Sequence, residues 1–386
     1  MEYLNQHIYT VLQEFIGNDI DIHNLYQVFP LFKKINFSFF DINEIYCDFF
    51  WYRKLNIKSF TPIERFNKFT HITHINCSDN DIYHFKKEFF LPTLTYLNCN
   101  NCNINIIDLP NNHILKYLDC SYNKIQSCIS FSLLKSLKTL KCNNNIIENI
   151  TLPPSIEYLD CSKNKIGLLQ KNLNLLTHLI INGNNIQQLP KMDNITYINC
   201  NYNIVITNIH VYPKLKHLYM NSTYLPSFSK IKLFNIPLVH LECSFASIKY
   251  LPILPPSLTY LNCSNNLLLD LPQIPNVKYL NCSNNLLLKL PKITKCIKLI
   301  CKNNGLHTIQ KSMTGNKLEY IDCKFNIRLI SISLCNPTCI KYLDCSHNTN
   351  LIHLPDNMTT IKTLLYYNCK KLIIPQGLNT LLSLMC

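Results

Sequence analysis

Apolar and polar residues alternate along most of the chain in a pattern that recurs at a nearly constant interval. Residues 258–272 read LTYLNCSNNLLLDLP, and residues 277–291 read VKYLNCSNNLLLKLP. Both segments follow the template L-x-x-L-x-C-x-x-N-x-L-x-x-L-P. The template begins fifteen times, 19 to 23 residues apart, at residues 72, 94, 115, 137, 156, 176, 195, 215, 238, 258, 277, 296, 318, 340 and 361. A fixed period of this kind predicts a stack of similar coils over residues 71–386.

Within each repeat, the spacing of the apolar positions predicts a short β-strand. Template positions 4 and 6 are two residues apart, so on a strand both side chains point to one face, and stacked coils bury them together. Position 6 is usually cysteine, which acts as a small hydrophobe, and Ile181, Met220 and Tyr366 replace it. The asparagine of position 9 can satisfy backbone amides of its own and the neighbouring coil. Proline-rich segments such as residues 251–256 predict an extended return with little helix.

The template resembles the leucine-rich repeat, L-x-x-L-x-L-x-x-N/C-x-L, with cysteine in its third apolar position. The short period and the linker LPILPPS at residues 251–257 are similar to the short class of repeat known from bacterial effectors. The resemblance implies a leucine-rich-repeat solenoid with short parallel β-strands on its concave face and an extended, irregular convex side. It also implies that the concave face binds a protein ligand.

Composition and charge narrow the possible functions. Of 386 residues, 47% are hydrophobic and 16% are charged, which excludes a disordered chain. The net charge is +14, but the only arginines are Arg53, Arg65 and Arg328, and residues encoded by A/T-rich codons abound, so we attribute much of the charge to genome composition. No apolar stretch is long enough for a membrane helix, and residues 1–20 lack the features of a secretory signal. We therefore expect an intracellular, cytoplasmic protein that does not associate with membranes.

The repeat also generates two exposed rows, because positions 3 and 5 alternate with the buried positions 4 and 6. Position 3 is mostly Tyr or His, and tyrosine offers a large, rigid contact area with a polar tip. Position 5 is mostly Asn, Asp or Glu. The alternative is that these side chains form in-register ladders that stabilise the sheet without any ligand. The residues predicted to bind protein on the concave face are Tyr96, Tyr117, Tyr158, His178, Tyr197, His217, Tyr219, His240, Tyr260, Tyr279, Tyr320 and Tyr342.

No arrangement of residues predicts catalysis or a cofactor. Cys99 and Cys102 form a C-x-x-C pair, and Cys335 and Cys339 a C-x-x-x-C pair, but no second pair at matching spacing completes a zinc site. Histidines occur singly along position 3, and six glycines leave no phosphate-binding loop. Lysines at position 2 lie beside the aromatic row, yet the carboxylates of position 5 would repel phosphate, so we do not expect nucleic acid binding. We predict a non-enzymatic protein without cofactor or metal.

Residues 1–70 do not follow the template, and segments within them, such as residues 8–16 and 22–29, show helical apolar spacing. The simplest interpretation is a small α-helical N-terminal domain, residues 1–70, that caps the solenoid of residues 71–386. From His7 to Leu55 the segment is also similar in outline to an F-box, the module that binds the Skp-type adaptor of cullin–RING ubiquitin ligases, although it lacks the family's opening Leu-Pro. The residues that carry this likeness, and would contact the adaptor, are Ile8, Leu12, Phe15, Leu25, Phe29 and Trp51.

An F-box followed by leucine-rich repeats, in a chain with A/T-rich codon usage, is similar to proteins of giant DNA viruses. That resemblance implies a substrate-recognition subunit of an SCF-type ubiquitin ligase in the cytoplasm of a host cell. The N-terminal helices would bind the adaptor, and the concave face would hold the substrate. The alternative is a plain leucine-rich-repeat scaffold or binding module whose N-terminus only caps the solenoid.

Overall fold

The computed structural model describes residues 44–46, 73–111, 113–204, 206–207, 209–226, 228–375 and 378. The chain divides into two compact units, Met1–Ile156 and Glu157–Cys386. Each unit is a solenoid of short parallel strands, because each coil contributes one strand and then returns to begin the next. Every template start identified in the sequence leads into such a strand two residues later, so the predicted repeat boundaries are confirmed.

The first unit contains one main sheet and two small ladders. Its strands are β1 (Glu44–Tyr46), β2 (His74–Asn76), β3 (His84–Phe85), β4 (Tyr96–Asn98), β5 (Ile106–Ile107), β6 (Tyr117–Asp119), β7 (Gln126–Ser130), β8 (Thr139–Lys141) and β9 (Ile146–Thr151). Strands β1, β2, β4, β6 and β8 pair in parallel and in register. Strand β3 pairs with β5, and β7 pairs with β9, on the return segments of the coils.

The second unit repeats this plan over more coils. Its strands are β10 (Tyr158–Asp160), β11 (His178–Ile180), β12 (Tyr197–Asn199), β13 (His217–Tyr219), β14 (His240–Glu242), β15 (Tyr260–Asn262), β16 (Tyr279–Asn281), β17 (Lys298–Ile300), β18 (Thr308–Ile309), β19 (Tyr320–Asp322), β20 (Ser331–Ile332), β21 (Tyr342–Asp344) and β22 (Thr363–Leu365). All pair in parallel with their neighbours, and β18 with β20 forms a separate ladder. The constant register places each template position opposite the same position in the next coil, for example Tyr260 opposite Tyr279.

The core is built from the apolar positions of the template. In the coil that begins at Leu258, the side chains of Leu258, Leu261 and Cys263 are buried, and the corresponding residues of neighbouring coils are buried as well. Burial raises the pKa of these thiols, that of Cys200 to about 12, because a thiolate is disfavoured in an apolar interior. The position 6 cysteines therefore act as packing residues, as the sequence predicts.

Asparagines at position 9 tie each coil to the one before it. Asn123 Nδ2 donates to the carbonyl oxygens of Cys120 and, in the preceding coil, Cys99, at 3.0 and 2.9 Å. Its Oδ1 accepts from the amides of Cys102 and Ile104, both at 2.9 Å. One buried side chain thus satisfies four backbone groups that would otherwise lack partners inside the coil, which confirms the predicted role of this position.

The residue before each of these asparagines adopts a left-handed backbone conformation. The φ angle at position 8 is positive in every coil, although only one of these residues, Gly183, is a glycine. Bulky residues such as Tyr202 (φ 55°) and Phe325 (φ 58°) occupy the same conformation. A non-glycine residue there costs about 1–2 kcal/mol. The hydrogen bonds of the following turn offset this cost.

The return segments are extended, with short 3₁₀ turns at Lys87–Phe89, Phe131–Leu133, Phe228–Lys230 and Pro337–Cys339. This agrees with the predicted extended and irregular side of the solenoid. Within the described ranges, no helix has the length and apolar character needed to cross a bilayer.

The predicted N-terminal helices, and with them Ile8, Leu12, Phe15, Leu25, Phe29 and Trp51, lie outside the described residues. The described part of that segment is not helical. Strand β1 pairs in parallel with β2, with residue 44 opposite His74 and residue 46 opposite Asn76. The small helical domain is therefore not supported, and the sheet begins earlier than the template does. The boundary at residue 70 stays a prediction.

Candidate binding face

The candidate site is the exposed side of the main sheets, formed by template positions 3 and 5 and called the sheet face below. Each strand is three residues long, with its central residue buried and its outer two facing away from the core. All twelve residues predicted to bind protein lie on these strands. His178 is exposed and the other eleven are half-buried.

In the first unit, three rings stack along position 3. The centroids of His74 and Tyr96 are 5.3 Å apart, and those of Tyr96 and Tyr117 are 4.3 Å apart with nearly parallel planes. The ammonium group of Lys141 lies 5.6 Å from the ring centre of Tyr117, at the end of the stack. Each such pair contributes about 0.5–1.5 kcal/mol beyond area burial.

In the second unit the row is longer. Consecutive rings from Tyr158 to Tyr279 approach one another at centroid distances between 3.9 and 6.0 Å. The ammonium group of Lys298 interrupts the row, 5.6 Å from the ring centre of Tyr279 and 4.6 Å from that of Tyr320. Tyr320 then stacks on Tyr342 at 4.3 Å. These contacts form the in-register ladder that was the alternative interpretation of position 3. The rings nevertheless remain partly exposed to solvent, so a ligand can still reach them.

Most position 5 side chains have a structural task that the sequence analysis missed. Asp160 Oδ1 accepts a hydrogen bond from the amide of Ser162 at 3.0 Å, and Asp344 Oδ1 accepts from the amide of Ser346 at 3.1 Å. The prediction that position 5 is exposed is wrong for Asp119, Asp322 and Asp344, which are buried although they lie on the sheet face. The signal was present in the sequence, because Asp or Asn two residues before Ser typically closes an Asx turn.

Glu242 departs from this pattern. The amide of Ser244, its expected partner, donates instead to Asn221 Oδ1 of the preceding coil at 2.8 Å. The Glu242 carboxylate accepts from Asn221 Nδ2 at 2.7 Å and interacts with His240 Nε2 at 3.1 Å. The hydrogen bond from His240 lowers the pKa of Glu242, with a further contribution from Asn221. A carboxylate is therefore held on the sheet face and remains about one-fifth exposed.

Aromatic rings surround this carboxylate. Tyr219 lies 4.7 Å from His240 and 5.3 Å from Tyr197, measured between ring centroids. On the other side, His240 stacks on Tyr260 at 3.9 Å. Partial burial raises the pKa of Tyr260, and the nearby Tyr279 raises it further. Burial, the neighbouring His240 and Lys216 lower the pKa of His217. We call Tyr197, Tyr219, His240, Glu242 and Tyr260 the Glu242 cluster.

The cysteine pairs do not assemble a metal centre. Cys102 and Cys369 stand in the asparagine position and donate, like asparagine, to a carbonyl of the preceding coil, with Sγ 2.9 Å from Cys77 O and 3.0 Å from Cys345 O. In the part of the chain that the structure describes, no three His, Cys, Asp or Glu side chains are placed to hold a metal ion.

Comparison with known proteins agrees with this architecture. No protein-family model matches the chain. The zebrafish (Danio rerio) protein Transforming growth factor beta activator LRRC33 is 30% identical over 132 residues, which cover 31% of this chain and 18% of that protein. The chain thus matches less than a fifth of the length of this curated relative.

Two solved structures extend the likeness over most of the chain. YopM, a leucine-rich effector protein from Yersinia pestis, matches with a TM-score of 0.67 and 21% identity, covering 94% of this chain and 99% of that chain. The functional domain of InlJ from Listeria monocytogenes, which includes a cysteine ladder, matches with a TM-score of 0.50 and 24% identity, covering 75% and 60%. With its parallel strands, buried cysteines and asparagine turns, this chain has the leucine-rich-repeat fold.

Proposed function

We propose that the chain is a non-enzymatic binding module and that the sheet face of its second unit binds a protein partner. The observation that carries this proposal is the Glu242 cluster, where an ionised carboxylate and four half-buried rings share one exposed surface. Large rigid aromatic groups lose little conformational entropy on binding and are enriched at the centres of protein interfaces.

The cluster favours a partner that presents a cationic side chain. The Glu242 carboxylate already accepts two hydrogen bonds, and its remaining lone pairs can accept from a lysine or arginine. The half-exposed rings of Tyr219 and Tyr260 can pack against the apolar stem of such a residue through their edges, because both faces of Tyr260 are already stacked on His240 and Tyr279.

The test compares variants by affinity purification. The full chain, a Glu242→Gln/Tyr219→Ala variant and a control variant Tyr250→Ala are used as baits under the same conditions. Tyr250 is exposed but lies outside the sheet strands. We expect a partner that the wild type and the control retain and the cluster variant loses. A partner retained equally by all three baits would contradict the proposal.

We further propose, from the F-box likeness of residues 7–55, that the partner of the sheet face is the substrate of an SCF-type ubiquitin ligase. Purified Skp-type adaptor mixed with the full chain and with a chain lacking residues 1–60 tests this proposal by size-exclusion chromatography. Co-elution with the full chain alone supports it, and absence of co-elution contradicts it.

The alternative, an N-terminus that only caps the solenoid, draws support from strand β1, which extends the sheet beyond the first template repeat. Under this alternative the chain lacking residues 1–60 loses solubility or thermal stability, and no adaptor binds to either chain. We also propose an intracellular location, because buried free thiols such as Cys200, Cys243 and Cys263 suit a reducing compartment.

A further inference from the structure

Positive charge is concentrated in one part of the second unit. Between Asp270 and Glu319 the sequence contains no Asp or Glu, whereas the whole chain has 23 acidic residues against 37 basic ones. The same stretch contains eight lysines, Lys278, Lys289, Lys292, Lys295, Lys298, Lys302, Lys311 and Lys317. Residues 194–241 also contain no Asp or Glu but only four lysines, so the number of lysines distinguishes this segment.

The fold brings four of these lysines together on neighbouring return segments. Ile293 and Thr314 form a parallel bridge, and the amide of Ile293 donates to Met313 O at 2.8 Å. A Cβ atom on Gly315 would lie 1.6 Å from the carbonyl oxygen of Thr294, so only glycine permits this approach of the two backbones. Lys292 and Lys295 on one coil are therefore held beside Lys311 and Lys317 on the next. We call these four residues the basic return patch.

The patch is exposed and its charges are not neutralised. All four lysines are exposed, and within the described ranges none of them forms an ion pair with a carboxylate. By contrast, Lys324 lies 3.0 Å from Asp344, and Lys341 lies 2.7 Å from Glu319. Since adjacent coils are about 5 Å apart and the Debye length is about 8–10 Å, the fields of the four ammonium groups add together.

We propose that the basic return patch is a second binding surface, which takes an extended acidic peptide segment of a protein partner. Charge complementarity supports this occupant. The uncharged polar side chains next to the lysines, Thr294, Gln310, Ser312 and Asn316, can exchange hydrogen bonds with a peptide backbone.

Two other anionic partners, a nucleic acid and an anionic membrane surface, fit the patch less well. Residues 290–297 and 309–317 contain no aromatic side chain on which nucleic acid bases could stack. In residues 289–318, Ile297 is the only large apolar side chain with more than about a third of its surface exposed, at 38%. This segment therefore lacks an apolar surface that could insert into lipid. The patch lies on the return segments rather than the sheet strands, and its action does not depend on the proposed function of the sheet face.

The probe is a fluorescein-labelled peptide of about twelve alternating glutamate and serine residues, long enough to cross both coils. Fluorescence anisotropy measures its binding to the full chain, to the variant K292E/K295E/K311E/K317E and to the control K165E/K171E/K232E/K249E. The control changes the net charge by the same amount at four exposed lysines elsewhere in the second unit. Circular dichroism checks that each variant folds. If the charge reversal impairs folding, Lys→Gln changes at the same four positions replace it.

We expect the patch variant to bind the peptide at least about tenfold more weakly than the control variant does, and the wild-type affinity to fall as salt is raised. Glu242→Gln is expected to leave peptide binding unchanged, which separates this surface from the sheet face. Equal weakening by the patch and control variants would overturn the proposal. So would a failure of the wild type to bind the peptide, or tighter binding to single-stranded oligothymidylate or to phosphatidylserine vesicles.

Discussion

Asn221 and Glu242 are linked by a hydrogen bond of 2.7 Å between neighbouring coils, and this contact releases Glu242 from the turn that its counterparts close. Asn221 Oδ1 accepts the amide and hydroxyl of Ser244, so the Glu242 carboxylate is free to interact with His240. Most other polar side chains at position 5 accept hydrogen bonds within their own coil, whereas the Glu242 carboxylate lies among aromatic rings on the sheet face. The sheet face is distinctive at this coil because of that exchange of partners.

Replacing Glu242 with glutamine is expected to change the pH dependence of stability. The folded pKa of Glu242 is below its ordinary value, so the carboxylate contributes stability above the unfolded pKa, and that contribution is lost as the pH falls through the folded pKa. The free energy of unfolding of the wild type should therefore decrease as the pH falls below the ordinary pKa of glutamate. The free energy of unfolding of the Glu242→Gln variant should decrease less over the same pH range. Urea unfolding at a series of pH values measures the difference.

The control for this experiment is Glu319→Gln. Glu319 forms an exposed ion pair with Lys341, and such surface pairs contribute little. If both variants flatten the pH dependence to the same extent, the contact between His240 and Glu242 is not its source.

Replacing Asn285 with alanine is expected to lower the free energy of unfolding by about 2–3 kcal/mol. Asn285 Nδ2 donates to Cys263 O and Cys282 O at 3.0 and 3.1 Å, and its Oδ1 accepts from the amide of Leu268 at 3.0 Å. Removal leaves these buried backbone groups without partners. Chemical denaturation measures the change.

The chain itself suggests the matched control, because cysteine replaces this asparagine at Cys102 and keeps a donor to the preceding coil. Asn285→Cys should therefore destabilise less than Asn285→Ala. The opposite order would show that packing, rather than the hydrogen bonds, makes this position important.

Replacing Tyr202 with asparagine is expected to raise the free energy of unfolding by about 0.5–1 kcal/mol. Tyr202 has a φ of 55° and is 63% exposed, so the substitution removes steric strain and little packing. Asparagine tolerates the left-handed conformation and already occupies it at Asn265, Asn284 and Asn303. Thermal unfolding compares this variant with Tyr224→Asn, which removes another exposed tyrosine whose φ is not positive. Equal effects of both variants would contradict the strain argument.

Alkylation of the native protein is expected to separate the cysteines by burial. Cys369 should react first, because a hydrogen bond from the Cys345 thiol lowers its pKa to about 7 and its side chain is only half-buried. Cys263 and Cys282 should resist iodoacetamide until the chain unfolds, since burial raises the pKa of both thiols. Mass spectrometry of the labelled peptides across neutral pH gives the order. Labelling of Cys263 as fast as Cys369 would show that the stack opens in the native state.

Much of the fold follows from the period and the alternation in the sequence. Two apolar residues two positions apart, recurring at this spacing, can be buried together only if each repeat adds one strand to a growing sheet, and the strands from His74 to Leu365 follow that rule. The asparagine before each return could be assigned in the same way, because a side chain with both donors and acceptors is needed where the chain turns inside the stack.

The N-terminal segment shows where this reasoning stops. Its helical apolar spacing falls at residues 8–16 and 22–29, outside the described residues, whereas residues 44–46 pair with β2 as a strand. Pairing with an existing sheet edge supplies backbone hydrogen bonds that local periodicity does not reveal, so this strand could not be predicted from the sequence pattern.

The sequence by itself determined the repeat, its strands, its buried cysteines and asparagines, and the aromatic row at position 3, because each of these depends on spacing within one coil. Only the tertiary structure decided which partner each polar side chain takes. Asn221 releases Glu242, and Asp322 and Asp344 are buried. Among the described residues, the lysines beside Gly315 pair with no carboxylate. These outcomes depend on distances between residues in neighbouring coils, and coil lengths that vary from 19 to 23 residues set those distances differently at each step.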